Sequence, residues 1–306
     1  MRVPDKPLNE KVIVITGASS GIGLCTAQLA AERGAKLVLV ARSTATLEEV
    51  TTQINSGGGQ AIYADADVGD RQQLLDAAQA AIKRFGRIDT WVNNAGVSIF
   101  GRFDQVAEAD ARRLFDTNFW GVVNGSLAAL PFLRMQGGAL INVGSEVSEA
   151  ALALQGFYVA SKHAVKGFTD ALRIEIEALD DAPISVTLIE PAAVNTPYPE
   201  HAKNYLARQP KLPTPTVNPE QVAEAILKAA TEGGRDVKVG LMATLDTTLA
   251  SVLPGLSDKF SAAISSRQQT DAEPLYPDGS LYAPGLTGHI YGANDIKPEH
   301  PKTRHT

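Results

Sequence analysis

The chain has 306 residues, 44% of them hydrophobic, and a net charge of −6. That length holds one large α/β domain or two small ones, with apolar residues enough for a sizeable core. The acidic balance argues against the basic stripe of a nucleic-acid-binding protein, but not against an anionic cofactor, for which only local charge matters.

Met1–Lys11 carries Pro4, Asp5, Pro7 and Glu10 and has no apolar core of signal-peptide length. Lys11–Thr16 (KVIVIT) reads as a short strand buried on both faces and running into a glycine turn. Ile22–Arg33 reads as a helix closed by Gly34, with Cys25 as a small buried residue. A lone cysteine permits no internal disulfide and fits a reducing, cytoplasmic compartment. Lys36–Ala41 is a second strand, Ser43–Asn55 a helix stopped by Gly57-Gly58-Gly59, Gln60–Ala64 a third strand and Arg71–Phe85 a helix. Asp89–Asn93 is a fourth strand. A long helix from about Glu108 to Leu130 leads to strand Ala139–Val143, and a second, Phe157–Leu179, to strand Ile184–Ile189. Helix Pro219–Thr231 precedes a seventh strand at Val237–Gly240.

This alternation predicts an α/β fold: a doubly wound, mostly parallel seven-stranded sheet, Rossmann-like, with helices on both faces. It would occupy about residues 8–260 as a single domain, with 261–306 as a C-terminal extension or arm. No run of apolar residues reaches the length of a membrane span. Thr196–Pro219 carries six prolines and one short helical patch near His201–Arg208, and reads as a functional loop. Residues 271–306, rich in Pro and Gly, read as an arm that covers a neighbouring subunit's site or stays disordered. Leu241, Leu245, Leu249, Val252 and Leu256 form one helical apolar stripe, expected to pack on the chain's own core; a lid, a subunit contact and a membrane surface are the other readings.

Three signals carry chemistry. The first is Gly17-Ala18-Ser19-Ser20-Gly21-Ile22-Gly23 between a strand and a helix. Glycines permit a tight turn and let backbone N–H groups approach a pyrophosphate at the positive end of the helix. Ser19 and Ser20 add hydroxyl donors. No Asp or Glu, the expected ribose ligand, occurs from Ala35 through Leu47, whereas Arg42 follows the second strand. A guanidinium pairs with a 2′-phosphate that a carboxylate would repel, so the expected cofactor is NADP(H), with Arg42 as selectivity residue.

The second signal is Tyr158-Val159-Ala160-Ser161-Lys162, which places Tyr158 and Lys162 on one helix face. A fixed ammonium is expected to lower the phenol pKa and make it a usable acid or base. The third is Ser145, just past a strand's carboxyl end, where its hydroxyl can donate to a developing alkoxide. The five histidines show no paired metal spacing, and no metal site is expected. Glu146 would either touch substrate or be solvated.

These residues, with Asp67-Val68, Asn93-Asn94-Ala95-Gly96, Asn118 and Pro191-x-x-Val194-x-Thr196, resemble the short-chain dehydrogenase/reductase family in its common single-domain branch, over about residues 11–196. The resemblance implies Tyr158 as acid/base, Ser145 as the residue that orients the substrate oxygen, and Lys162 as ribose ligand and modulator of Tyr158. It implies that Asn118 anchors a relay water and that Asp67 and Val68 line the adenine pocket. Asn94, Ala95 and Gly96 would lie beside the cofactor, and Pro191, Val194 and Thr196 near the nicotinamide. Ala192 departs from the family's usual glycine. The three-residue Tyr–Lys gap differs from that of the enoyl reductases, and Val143-Gly144-Ser145-Glu146-Val147 is no hydrolase elbow. The expected activity is hydride transfer between NADP(H) and a carbonyl or secondary alcohol. An NAD-dependent dehydrogenase of steroid, sugar or hydroxyacyl substrates is the alternative, followed by a non-catalytic NADP(H) sensor. A homodimer or homotetramer built on the two long helices is implied.

Overall fold

The computed structural model describes residues 6–265 and 268–292, so His300, His305 and the end of the predicted arm lie outside the described residues. After a 3-10 turn at Leu8–Glu10, the chain runs β1 (Val12–Thr16), α1 (Gly21–Glu32), β2 (Lys36–Ala41), α2 (Thr44–Ser56), β3 (Gln60–Asp65), α3 (Arg71–Phe85) and β4 (Thr90–Asn93). Next come β5 (Ile99–Phe100), α4 (Glu108–Phe115), α5 (Gly121–Gln136), β6 (Gly138–Val143), α6 (Gly156–Arg173) and β7 (Ile184–Pro191). The last elements are α7 (Tyr198–His201), β8 (Lys203–Asn204), α8 (Pro219–Glu232), β9 (Asp236–Val239), α9 (Leu241–Val252) and α10 (Pro254–Ser265).

Seven strands pair in parallel in the order β3-β2-β1-β4-β6-β7-β9, the doubly wound sheet that the alternation predicts. Strands buried on both faces need apolar residues on both. Ile13, Ile15, Leu37, Leu39 and Ile141 face α1 and α8, whereas Val14, Val38, Trp91, Leu140 and Val186 face α3, α5 and α6. No helix among the described residues is long and apolar enough to cross a membrane.

A polar cluster sits inside the second layer. Asn93 accepts from Trp91 Nε1 (2.8 Å) and donates to Asn142 Oδ1 (2.9 Å) and Ser126 Oγ (3.1 Å). Asn142 then donates to Thr169 Oγ1 on α6 (2.9 Å). Every member has a partner, so the cluster ties β4, β6, α5 and α6 together without leaving a buried donor unmet.

Several expectations change on folding. Each predicted long helix contains a π-helical turn, at Asp116–Trp120 between α4 and α5 and at Ile174–Leu179 after α6. The predicted helical patch near 201–208 is instead the single turn α7 followed by β8. There the Lys203 N–H donates to Ser98 O (2.9 Å), so a long-range partner extends the backbone. The predicted stripe does not pack on the core: Leu241, Leu245 and Val252 on α9 and Leu256 on α10 are exposed. Ala243 and Thr247 turn inward, where Lys238 Nζ donates to Thr247 Oγ1 (2.6 Å), and this contact fixes the helix's rotation.

Gly125 on α5 lies against the polar cluster, where an added Cβ would fall 2.1 Å from Asn93 Oδ1 and 2.7 Å from Trp91 Nε1. Gly125→Ala should therefore cost about 1–3 kcal/mol and lower Tm by roughly 3–10 °C, measured by thermal unfolding. Gly167→Ala on α6, where a Cβ meets nothing within 4 Å, should leave Tm equal or higher.

Candidate active site

The carboxyl ends of β1, β2, β4, β6 and β7 open into one cleft. At its floor the Thr16 hydroxyl donates to Val92 O (3.2 Å) and accepts from the Asn94 N–H (2.9 Å) and the Ala95 N–H (3.1 Å). Asn94 Nδ2 returns a bond to Thr16 O (2.9 Å). The glycine turn is thereby pressed onto β4. A Cβ on Gly17, at φ +67°, would fall 2.8 Å from Ala95 Cα, and one on Gly23 would fall 2.2 Å from Gly17 O. Gly23 therefore serves packing and does not line the cleft, whereas Gly17, Ser19, Ser20, Gly21 and Ile22 do.

Along the wall stand Ala41, Arg42, Asp67 and Val68, then Asn94, Ala95 and Gly96. Burial alone would raise the Asp67 carboxyl, but the Arg113 guanidinium paired with it, the Gly69 amide (2.9 Å) and the Arg42 charge hold it below its ordinary value. Arg113 went unpredicted, because nothing in the sequence joins residue 113 to residue 67. Ser145, Tyr158, Lys162, Pro191, Val194 and Thr196 line the opposite end.

Ser145 caps a 3-10 turn at Glu146–Ser148, its Oγ accepting from the Val147 N–H at 3.3 Å. The hydroxyls of Ser145 and Tyr198 neighbour that of Tyr158 and draw its pKa down. The rings of Tyr158 and Tyr198 meet edge-on, with centroids 5.5 Å apart. Tyr198 Oη also lies 2.7 Å from both Ser98 Oγ and Gln155 Oε1. Its only sequence signal was its place between Pro197 and Pro199 in the predicted functional loop.

Lys162 is buried and donates to Val143 O at 2.9 Å. Burial lowers its ammonium to about 8. Burial pushes the Tyr158 phenol up to about 12, more than the Ser145 and Tyr198 hydroxyls draw it down. This corrects the expectation that Lys162 lowers it. Lys162 Nζ lies 5.7 Å from the Tyr158 ring centre, and the charge that acts on the phenol is that of Glu146, which raises it further.

Asn118 stands behind the wall, in the π-helical turn. Its Oδ1 accepts from the Val97 N–H (2.8 Å), and its Nδ2 donates to Val97 O (2.9 Å) and Ser161 Oγ (3.0 Å). Glu146 Oε2 is buried with no hydrogen-bond partner. Burial, then Asp246, pushes the Glu146 carboxyl to about 7. Cys25 is a free, buried thiol raised to about 12, chiefly by burial. His163 is exposed, and no metal cluster exists among the described residues.

The described part of the C-terminal segment, 268–292, lies on its own chain. Leu281 is buried beside Val97 and Leu114. The Gly288 N–H donates to Ser19 O (2.8 Å), and the Gly21 N–H donates to His289 O (2.9 Å). Arg42 donates to Ser280 O (2.5 Å) and Leu281 O (3.2 Å). The segment thus roofs the glycine-turn end of the cleft and occupies donors suited to an anion.

The family model for short chain dehydrogenases matches residues 11–205. The uncharacterized oxidoreductase YxnA of Bacillus subtilis is 45% identical over 294 residues, 94% of this chain and 82% of that protein. The putative oxidoreductase SadH of Mycobacterium tuberculosis is 33% identical, covering 83% of this chain and 94% of its own. Among solved structures, an alcohol dehydrogenase from Thermococcus sibiricus complexed with 5-hydroxy-NADP superposes with a TM-score of 0.64 at 28% identity, covering 75% of this chain and 94% of that one. A short-chain dehydrogenase/reductase from Burkholderia phymatum in complex with NAD does so with a TM-score of 0.68 at 25% identity, covering 87% and 97%. With its parallel sheet and a match over residues 11–205, which carry most of the cleft, this chain is an oxidoreductase of the short-chain dehydrogenase family.

Proposed function

We propose that the chain is an NADP(H)-dependent carbonyl reductase or secondary-alcohol dehydrogenase with Tyr158 as general acid and base. The observation that carries this reading is the meeting of Tyr158, Ser145 and Lys162 in the same cleft as the glycine turn and Arg42. The residues present fit a dinucleotide. The α1 N-terminus offers N–H groups to a pyrophosphate, and the guanidiniums of Arg42 and Arg113 outnumber the Asp67 carboxylate beside Ala41. That excess of positive charge favours a 2′-phosphate over a bare ribose hydroxyl. When bound, the dinucleotide supplies or accepts the hydride.

The chain's own groups handle the oxygen and the proton. Ser145 and Tyr158 hold the substrate oxygen, and Tyr158 hands its proton to the alkoxide as it forms. A phenol raised to about 12 is protonated at neutral pH, which suits reduction; oxidation needs the phenolate. Lys162, anchored on Val143 O, keeps further N–H donors for the ribose. Asn118 fixes the Val97 backbone at the cleft edge and anchors the relay water. A single buried thiol fits a cytoplasmic setting. Trp120, Leu127, Ile174 and Leu179 are exposed along the long-helix regions and offer the face for a homodimer or homotetramer. Segment 280–289 has to open whenever the dinucleotide exchanges.

Paired fluorescence titrations with NADPH and NADH test the cofactor assignment: NADPH should bind more tightly. Arg42→Asp should weaken NADPH roughly 10- to 100-fold, the worth of a hydrogen bond to a charged group, and turn preference toward NADH. Equal preference before and after would sink the assignment. Tyr158→Phe should cut kcat by about 10²–10⁴ while sparing NADPH affinity; retained turnover would refute the role. In steady-state assays, kcat/KM for alcohol oxidation should climb with pH on the alkaline side, and that for ketone reduction should not. A chain ending at Gly279 and still folded by circular dichroism should release NADPH roughly tenfold faster in stopped flow, since the segment's hydrogen bonds are gone.

A further inference from the structure

A second cavity of about 280 Å³ adjoins the catalytic cleft. The two share Glu146, Val147, Leu152, Ala193, Leu212 and Pro213 as common walls. Beyond these its apolar wall is Ala150, Ala151, Pro215, Met242 on α9 and Ile264 on α10, and its polar wall includes Lys211, Asp246 and Ser261. We propose that the substrate of this site carries its carbonyl or hydroxyl on an extended apolar limb, which passes between Val147 and Leu212 into the second cavity. The inference rests on the carbonyl-reductase reading and names its substrate class.

Three observations support an apolar occupant. The two cavities meet at Val147, Leu152, Leu212 and Pro213, so the passage itself is largely apolar. The carboxyl Oε2 of Glu146, at the junction, is buried with no hydrogen-bond partner, and burial pushes that carboxyl to about 7, toward the uncharged form that an apolar limb tolerates. Helices α9 and α10 lie outside the seven-stranded sheet, and both contribute wall residues to the cavity. They close a space that hydride chemistry at Tyr158 does not itself need. A cavity of about 150 Å³ lined by apolar side chains takes a benzene ring, so this one takes roughly ten carbon atoms.

The test is a series of 2-alkanones from butanone to dodecanone, assayed with NADPH and NADH. Polyhydroxylated ketones of matched length serve as polar controls. Each methylene should raise kcat/KM about fourfold until the cavity is full, the fold-change equivalent to about 0.8 kcal/mol per buried CH₂. Met242→Trp, which fills the cavity away from the reacting groups, should abolish the gain with length and leave butanone turnover unchanged. Ala151→Leu should shorten the preferred chain. Flat kcat/KM along the series, equal use of the polar controls, or a length dependence untouched by Met242→Trp would each overturn the proposal. If no ketone is turned over with either nucleotide, the carbonyl-reductase reading fails instead. Calorimetric binding of the same ketones to the cofactor-free protein then decides the limb. Affinity that rises with length and is lost in Met242→Trp upholds it, and affinity without that pattern overturns it.

Discussion

The cleft depends on a clasp of hydrogen bonds at Thr16. Its hydroxyl has one proton and two lone pairs, and all three are used between Val92 O and the N–H groups of Asn94 and Ala95. The clasp ties the end of β1 to the end of β4, neighbours in the sheet although separated by two strand–helix units in the chain. At this pair the sheet order reverses, and two crossovers diverge to opposite faces. The approach is so close that a side chain at Gly17 or Gly23 would overlap backbone atoms. The open end of the cleft is thus a consequence of packing as much as of ligand chemistry.

Burial governs the chemistry at the other end. The Asn93–Asn142–Thr169 chain holds α6 on the sheet, and α6 carries Tyr158 and Lys162 into a dry wall. Desolvation disfavours charge on both groups, raising the phenol and lowering the ammonium. Tyr158 is tuned back by its hydroxyl neighbours, Ser145 and Tyr198, whereas Lys162 is tuned by burial and held in place by the Val143 carbonyl. The π-helical turn at Asp116–Trp120 fits this scheme. It interrupts a helix where Asn118 must reach the Val97 backbone and Ser161 at once, and such turns gather at functional sites.

Much of this was legible because it is local. β-Branched runs such as KVIVIT, glycines where chain direction changes, and a Tyr–Lys spacing of one helical turn each state their geometry within a few residues. Seventeen cleft-lining positions, from Gly17 to Thr196, sit where motif order placed them. Gly23 and Asn118 stand one layer back, because a motif fixes which residues occur near a site and not which atoms reach it. The α9 stripe was misread for a similar reason. Its 3.6-residue period identifies a face, but the inward rotation was chosen by Lys238 and Thr247, a contact between elements.

The sequence by itself determined the sheet, the order of its helices, the glycine turn and the Ser–Tyr–Lys set, since each follows from hydrophobic period or short-range spacing. Tertiary structure alone decided the pairing of Arg113 with Asp67, the placing of Tyr198 against Tyr158, the second cavity behind Val147 and the return of residues 280–289 across Ser19 and Arg42. These join residues 40 to more than 250 positions apart. Their partners are selected by the shape and unmet hydrogen bonds of a surface that exists only once the sheet has closed.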